Sequence, residues 1–414
     1  MLRDRNVALV AGARFISRTG GEAAFFVGLW GKAAFQFDTT AGELALMMAA
    51  LSISVLIGSA LSGVLIDRFD PRRVMMVGEI LFVPATLSVL LANNMAELTL
   101  FAALLGFFQA PVFTAVNSFA PYLTDEPDRL EWINSRLEAA GTAAFVAGPA
   151  LGALIVTYAN VDWIFVVDAL TSLVAVGLVA FVTVRPLERE ARRGALRELR
   201  EGFRYSYRSR QLRFYILLGT ALWFAFGAFG ALEPLFYRDV LGVGIEALGW
   251  INTIFGVGLV SGSLLLPRIP KRFHTARGAV LFFGLNALGI LLYVGTDRVP
   301  VVVLGAIVWG VLIGFMFPLV RTLIHLNSPE PLIGRITGVV QVHATTAELV
   351  PLAIAPALAA AWGVQQTLVA TGVAVLTVAV VAFREAASID RLREKPVPPP
   401  EGLTVADEPI SPTP

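Results

Sequence analysis

Apolar runs of about twenty residues recur along this chain, each closed by a short polar connection. Nothing else in it constrains the fold as much. In a helix, ~20 apolar residues cross the ~30 Å hydrocarbon core of a bilayer. Charged residues make up only 15% of the 414, against roughly 25% in a soluble globular protein. The chain therefore reads as an all-α membrane protein. Hydropathy places about twelve helices, near 7–36, 42–66, 74–94, 98–121, 131–158 and 163–184, then 212–237, 246–268, 276–296, 299–321, 332–361 and 363–384. The first run carries Arg14, Arg18 and Glu22, which separates it from a signal-peptide core. Cysteine is absent, so disulfides and thiolate sites are excluded.

Arginine and lysine divide the connections into two sets. One set holds Arg5, Arg68, Arg72, Arg73, Arg129, Arg136, Lys271, Arg272, Arg277, Arg335, Arg384 and Arg391. The arginine-dense stretch from Arg185 to Arg213 falls on the same side. The other set is short and nearly uncharged, with Lys32, Arg238 and Arg298 as its exceptions. Positive residues gather on the cytoplasmic side of a membrane protein, which predicts cytoplasmic termini in a multi-pass protein of the cytoplasmic (inner) membrane. The pattern Leu196-Arg197-Glu198-Leu199-Arg200-Glu201 suggests either a surface amphipathic helix or a solvated loop.

The two halves echo each other. Gly63…Pro71-Arg72-Arg73 recurs as Gly262…Pro270-Lys271-Arg272, and Gly148-Pro149-Ala150-Leu151-Gly152-Ala153 as Ala355-Pro356-Ala357-Leu358-Ala359-Ala360. Each pair falls in corresponding spans, the second and the fifth. A duplicated six-helix unit of this kind builds one large transporter class, with the substrate site between the halves. The expected divisions are a first bundle at 1–184, a cytoplasmic linker at 185–211, a second bundle at 212–384, and a disordered, proline-rich cytoplasmic tail at 385–414.

With these motifs the chain resembles the major facilitator superfamily, up to about residue 384. Gly63, Leu65, Asp67, Arg68, Arg72 and Arg73 match the signature G-x-L-x-D-R with its following basic residues. Asp70 and Pro71 replace a glycine and an arginine of that signature, and aspartate tolerates the left-handed turn better than most residues. In the second half Leu266 stands where Asp67 stands in the first. Gly148, Pro149 and Gly152 resemble the antiporter motif of the drug-exporting branches, with Ala153, Ser135 and Ala144 at other glycine positions. The chain is most similar to bacterial macrolide, siderophore and multidrug exporters. The resemblance implies two pseudo-symmetric six-helix bundles and a secondary active transporter. Export of amphipathic small molecules by proton antiport and alternating access is the expected activity. A metabolite symporter, a lipid translocator and a non-transporting sensor are the alternatives.

Candidate site residues follow. Gly63 offers a close helix approach. The resemblance has Asp67 meet the start of the eleventh helix, with Arg68, Arg72 and Arg73 completing a gate. The alternative for these arginines is a topological anchor. Intramembrane ionisable residues default to function, which makes Glu22 and Glu348 candidates for proton coupling, or else fixed structural charges. Arg18, Gln109, Asn286, Gln341 and His343 are candidates for the cavity, although a histidine in this position is more often a packing group. Trp223, Phe224, Phe226 and Phe229 either line an apolar cavity or face lipid. Asp168 and Glu233 are expected nearer the outer side, Glu79 and Glu138 near the gate. No Ser/His/Asp arrangement, metal-ligand spacing or nucleotide loop is present, so the chain is not read as an enzyme. The proton gradient is the expected energy source and no cofactor is expected. The expected partners are a small-molecule substrate and the bilayer, not nucleic acid, and the expected state is a monomer.

Overall fold

The computed structural model describes residues 2–185 and 195–392. The centre of the linker and the proline-rich tail from residue 393 fall outside the described residues. The described chain runs α1 (Leu2–Ala23), α2 (Ala41–Arg68), α3 (Pro71–Ser88), α4 (Met95–Asn117), a short α5 (Ala120–Leu123), α6 (Pro127–Tyr158) and α7 (Asp162–Ala180). A linker helix, α8 (Ala195–Arg208), leads into α9 (Arg210–Leu235), α10 (Glu246–Leu265), α11 (Ala276–Val294), α12 (Val299–Leu326), α13 (Ile333–Trp362) and α14 (Val364–Leu392). π-helical segments extend α1 through Ala24–Leu29 and Lys32–Gln36, and α9 through Phe236–Leu241. Among the described residues, eleven helices are long and apolar enough to cross a membrane. The twelfth span is α1 with its extensions, whose Arg14, Arg18 and Glu22 dilute its apolar run.

Local chemistry sets the helix boundaries. Thr40 and Glu43 form a capping box at the start of α2, satisfying two amides that a helix start leaves open. Asp70 caps α3 through the Arg73 amide at 2.9 Å, and Pro71 follows at the first helical position, where its missing N–H costs nothing. Asp70 has φ −71°. The turn therefore survives its lost glycine by capping, not by the left-handed conformation expected for it.

One other expectation changes, and one open alternative is resolved. Residues 385–392 do not begin a disordered tail but complete α14: Ala386 and Ile389 are fully buried, and Asp390 accepts the Ala276 amide at 2.6 Å and the Arg277 amide at 3.2 Å. The linker holds a helix, and α8 packs on the start of α13. Arg335 reaches Glu201 at 2.7 Å, and a Cβ at Gly202 would lie 2.7 Å from the Arg335 carbonyl.

With twelve spans, both ends of the described chain lie at one face, here the terminal face. Helices α1–α7 form one bundle and α9–α14 the other. Toward the opposite face the apolar core is continuous across both, joining Trp30, Met47 and Phe165 to Phe229, Leu248 and Leu352. Toward the terminal face the first bundle keeps a separate core around Val10, Met75, Phe119, Ile133 and Val179, with no residue of the second bundle in it. The bundles are thus joined at the opposite face and part toward the terminal one.

Candidate functional site

Arg18 and Glu22 stand one turn apart on α1, and the Arg18 Nε donates to Glu22 Oε1 at 2.8 Å. They line a cavity of about 260 Å³ together with Arg14, Ser17, Gly21, Glu79, Gln109 and an apolar wall of Met75, Phe82 and Phe113. Two consecutive glycines let α1 approach its neighbours here. A Cβ at Gly20 would lie 2.8 Å from Asp168 Oδ1, and one at Gly21 would lie 3.1 Å from Gln109 Nε2.

Three carboxyl groups from three helices converge on this part of the bundle. Glu22 comes from α1. Glu79 of α3 is buried and faces the Ser17 and Ser172 hydroxyls without a well-formed hydrogen bond to either oxygen. Asp168 of α7 is fully buried, takes a 2.7 Å hydrogen bond from Thr86, and leaves its second oxygen without one. It lies near enough to Glu79 for the two charges to interact. Glu79 was expected at the gate, and instead it opens onto the cavity of Glu22. Burying an unpaired carboxylate is costly, so the chemistry open to this cluster is uptake of a proton or a cation. The acids were visible in the sequence as interruptions of apolar runs, but only the packing of α1, α3 and α7 brings them together.

The antiporter-like motif lies directly behind this site. A Cβ at Gly148 would come within 2.4 Å of the Glu22 Cβ and 2.8 Å of the Thr19 carbonyl, and one at Gly152 would meet Val27 at 2.7 Å. On its other side α6 meets the second bundle. A Cβ at Gly249 of α10 would lie 2.3 Å from the Pro149 carbonyl oxygen and 2.6 Å from the Ala153 Cβ. Gly148, Pro149 and Gly152 therefore seat α6 between the turn that carries Glu22 and the partner bundle. Nearer the terminal face, Arg14 lies over Gly141 and pairs with Glu138 at 3.2 Å. That makes Glu138 part of an α1–α6 clamp, not of the expected gate network.

The gate residues are arranged differently from expectation. A Cβ at Gly63 would meet nothing within 4 Å, whereas Gly58, one turn and a half earlier, packs 2.5 Å from the Phe107 carbonyl of α4. In a terminally open arrangement the close approach expected at Gly63 is not made. Arg72 donates to the Ala180 carbonyl at 2.6 Å, satisfying the C-terminal end of α7. Arg73 pairs with Asp70 at 3.3 Å and is largely exposed. Both serve their own bundle. Arg68 is exposed, and the Asp67 side chain falls outside the described residues.

In the second bundle Glu348 is half-buried on α13, where a Cβ at Gly227 of α9 would lie 2.1 Å from its carbonyl. Gln341 is exposed on the same helix. His343 is not a cavity group. Its Nδ1 lies 2.9 Å from the Val339 carbonyl, its Nε2 lies 2.8 Å from Tyr207 Oη, and its ring packs on Phe203 and Tyr207 of α8. Asn286 is fully buried with both amide atoms unpartnered, away from the cavity described above. Phe226 stacks on Trp309 of α12, Phe229 meets the same ring at a tilt, Trp223 meets Phe317, and Phe224 faces outward. The aromatic set, for which lining a cavity and facing lipid were the two alternatives, is mostly packing inside this bundle.

Comparison with known proteins agrees with this architecture. The family model described as Major Facilitator Superfamily matches residues 10–350. The multidrug efflux pump Tap of Mycobacterium tuberculosis is 28% identical over 369 residues, covering 84% of this chain and 86% of that protein. The enterobactin exporter EntS of Escherichia coli is 24% identical over 357 residues, covering 83% of each. Among solved structures, the nucleoside transporter NupG superposes with a TM-score of 0.72 at 12% identity, covering 93% of this chain and 98% of that one. A bacterial homologue of the lysosomal transporter Spinster gives 0.72 at 14% identity, covering 95% and 98%. At such identities the structural likeness speaks for the fold alone.

Proposed function

The chain belongs to the Major Facilitator Superfamily and is a non-enzymatic transporter of two six-helix bundles; from that premise we propose that it exports amphipathic small molecules in exchange for protons. The observation that carries this reading is the contact between Gly148 and Glu22. It places the antiporter-like motif against the acid of a cavity that also holds Arg18, Glu79 and Gln109. A proton taken up on Glu22 or Glu79 removes one negative charge from the cavity and displaces a cationic or polar substrate group. Once the proton leaves, the charge that attracts the next substrate returns. The apolar wall of Met75, Phe82 and Phe113 suits the remaining, hydrophobic part of such a molecule. The names of Tap and EntS support efflux as the direction.

On this reading the terminal face is cytoplasmic, because the arginine-rich connections gather there, and the membrane is the bacterial inner membrane. The joined opposite face and parted terminal face then correspond to an inward-open state. Alternating access requires that the bundles rock until the terminal face closes. Gly63 then makes the approach it does not make here, and Asp67 and Arg68 face the start of α13. Residues 185–211 act as the tether between the two bundles.

The test is transport by the purified protein in proteoliposomes with an imposed pH gradient, using cationic dyes, macrolides and siderophores. Antiport predicts gradient-dependent accumulation that Glu22→Gln abolishes and Glu348→Gln, which alters an acid outside the cavity, reduces less. Accumulation indifferent to the gradient rules antiport out. A lipid translocator would instead move labelled phospholipid in the same vesicles.

A further inference from the structure

The most enclosed carboxyl group of the second bundle has no part in the site above. Glu233 sits near the end of α9, just before Pro234 and the π-helical segment Phe236–Leu241. Tyr237, one turn further on, and Tyr293, in the last turn of α11, both donate to Glu233 Oε1. The two phenol oxygens are also in hydrogen-bond contact with each other. Both tyrosines are fully buried and Glu233 nearly so. Tyr237 and Tyr293 are the titratable groups that face it, one from its own helix and one from α11, and no Lys or Arg of the described residues pairs with it.

Three oxygens in mutual contact make a ring with three edges, and each edge takes one hydrogen. Each phenol carries one hydrogen, and an ionised carboxylate carries none. With both phenols donating to the carboxylate, the Tyr237–Tyr293 edge holds no hydrogen; a protonated carboxyl group instead donates to one phenol, which turns its own hydrogen to the other and fills that edge. With that proton the ring is complete. Without it, two phenol oxygens face each other and a buried charge across an edge that holds no hydrogen.

The ring is attached to the closed face of the molecule. Arg238 follows Tyr237 directly and crosses to the first bundle. It donates to the Ala34 carbonyl at 2.7 Å and the Thr39 carbonyl at 3.3 Å, and pairs with Asp38 at 2.8 Å. Asp38 adopts φ 48°, a conformation uncommon outside glycine, in the short turn that Arg238 grips. Asp239 holds the other side of the guanidinium at 2.6 Å. We propose that Glu233 is a proton-binding site of the second bundle: the proton closes the ring with Tyr237 and Tyr293, which fixes the end of α9 on α11 and so keeps Arg238 latched across the opposite face.

When the proton leaves Glu233, the Tyr237–Tyr293 edge opens, the π-helical end of α9 is released from α11, and the latch loosens. The site goes beyond the reading above, which uses only acids of the first bundle. Its test involves no transport, so each stands or falls separately.

The chain has no cysteine, so spin labels attach only where cysteine is introduced. Ala159→Cys and Asp297→Cys place one label on each bundle at exposed positions of the opposite face. In full-length protein in lipid nanodiscs, the label separation is expected to lengthen as pH rises in the otherwise native chain. With Glu233→Gln, neutral at every pH, it is expected to stay at the short distance. Infrared spectra at neutral pH are expected to lose one protonated-carboxyl C=O band in Glu233→Gln. Should that variant fail to fold, Tyr293→Phe serves instead. It removes two of the three edges of the ring and leaves only Tyr237–Glu233, so the same band is expected to shift in frequency and the separation to lengthen at neutral pH. An unchanged band in either variant, or a distance–pH course in Glu233→Gln that follows the native one, overturns the proposal.

Discussion

The two bundles share a chain path and differ in what they enclose. Inside the first bundle lies a cavity with two arginines, an amide and acids, and the oxygens of Glu79 have no well-formed hydrogen bond. The interior of the second is aromatic, with Phe226, Phe229 and Tyr293 around Trp309, and its buried acid Glu233 is closed by two phenols. The same contrast holds in the repeated motifs. Gly148 and Gly152 of α6 admit α1 to the closest possible contact, while their counterparts in α13, Ala355 and Ala359, carry side chains and are buried in core packing. A duplicated fold has thus been divided in labour: an accessible polar pocket on one side, and a stiff aromatic body with a satisfied acid on the other. Unsatisfied buried charge is the costly feature, and Glu79 carries it at the wall of the cavity.

Exchanging features between the bundles should break this contrast. The largest effect is expected from Glu22→Gln, which keeps the shape of the cavity and an acceptor for Arg18 while removing the titratable group. Gradient-driven transport should fall to background in proteoliposomes while insertion and thermal stability remain native. Gly148→Val should come next. Its Cβ has no room beside Glu22 and Thr19, and overpacking of this kind costs about 1–3 kcal/mol, measurable as a lowered Tm together with lost transport. Asn286→Leu should act in the opposite direction. Removing a buried amide with no partner relieves a desolvation penalty of about 1–3 kcal/mol, so Tm should rise with transport unchanged. A collapse of transport there would restore Asn286 to the cavity. A smaller effect is expected from His343→Phe, which gives up the Tyr207 contact, worth about 0.5–1.5 kcal/mol, but keeps the ring against α8. Gly63→Ala should change stability least, within about 0.5 kcal/mol, since its Cβ enters open space in this state. If the terminal face does close on Gly63, transport should nevertheless slow.

Much of the architecture was legible in the sequence, because hydropathy and charge act along the chain. Span boundaries, the internal repeat and the signature loop are one-dimensional patterns, and the twelve spans lie where those patterns place them. What could not be read is helix rotation. Glu79, His343 and Asn286 each interrupt an apolar run in the same way, yet one opens into a cavity, one packs on a linker helix and one is sealed inside a bundle. Spacing along a helix tells which residues share a face, as with Arg18 and Glu22, but not which neighbour that face meets. The Asp70 cap shows the same limit at a loop: its residue type fits either a left-handed turn or a helix cap, and only φ distinguishes them.

Proton movement itself is the most direct test of the central claim. Proteoliposomes loaded with a pH-sensitive dye would report the lumenal pH as a transported cationic dye is added outside under no imposed gradient. Antiport through the Glu22 cavity predicts a rise in lumenal pH as protons leave against the entering substrate, absent from vesicles carrying Glu22→Gln. Substrate entry at the native rate with no accompanying pH change, or the same change in Glu22→Gln, would contradict it.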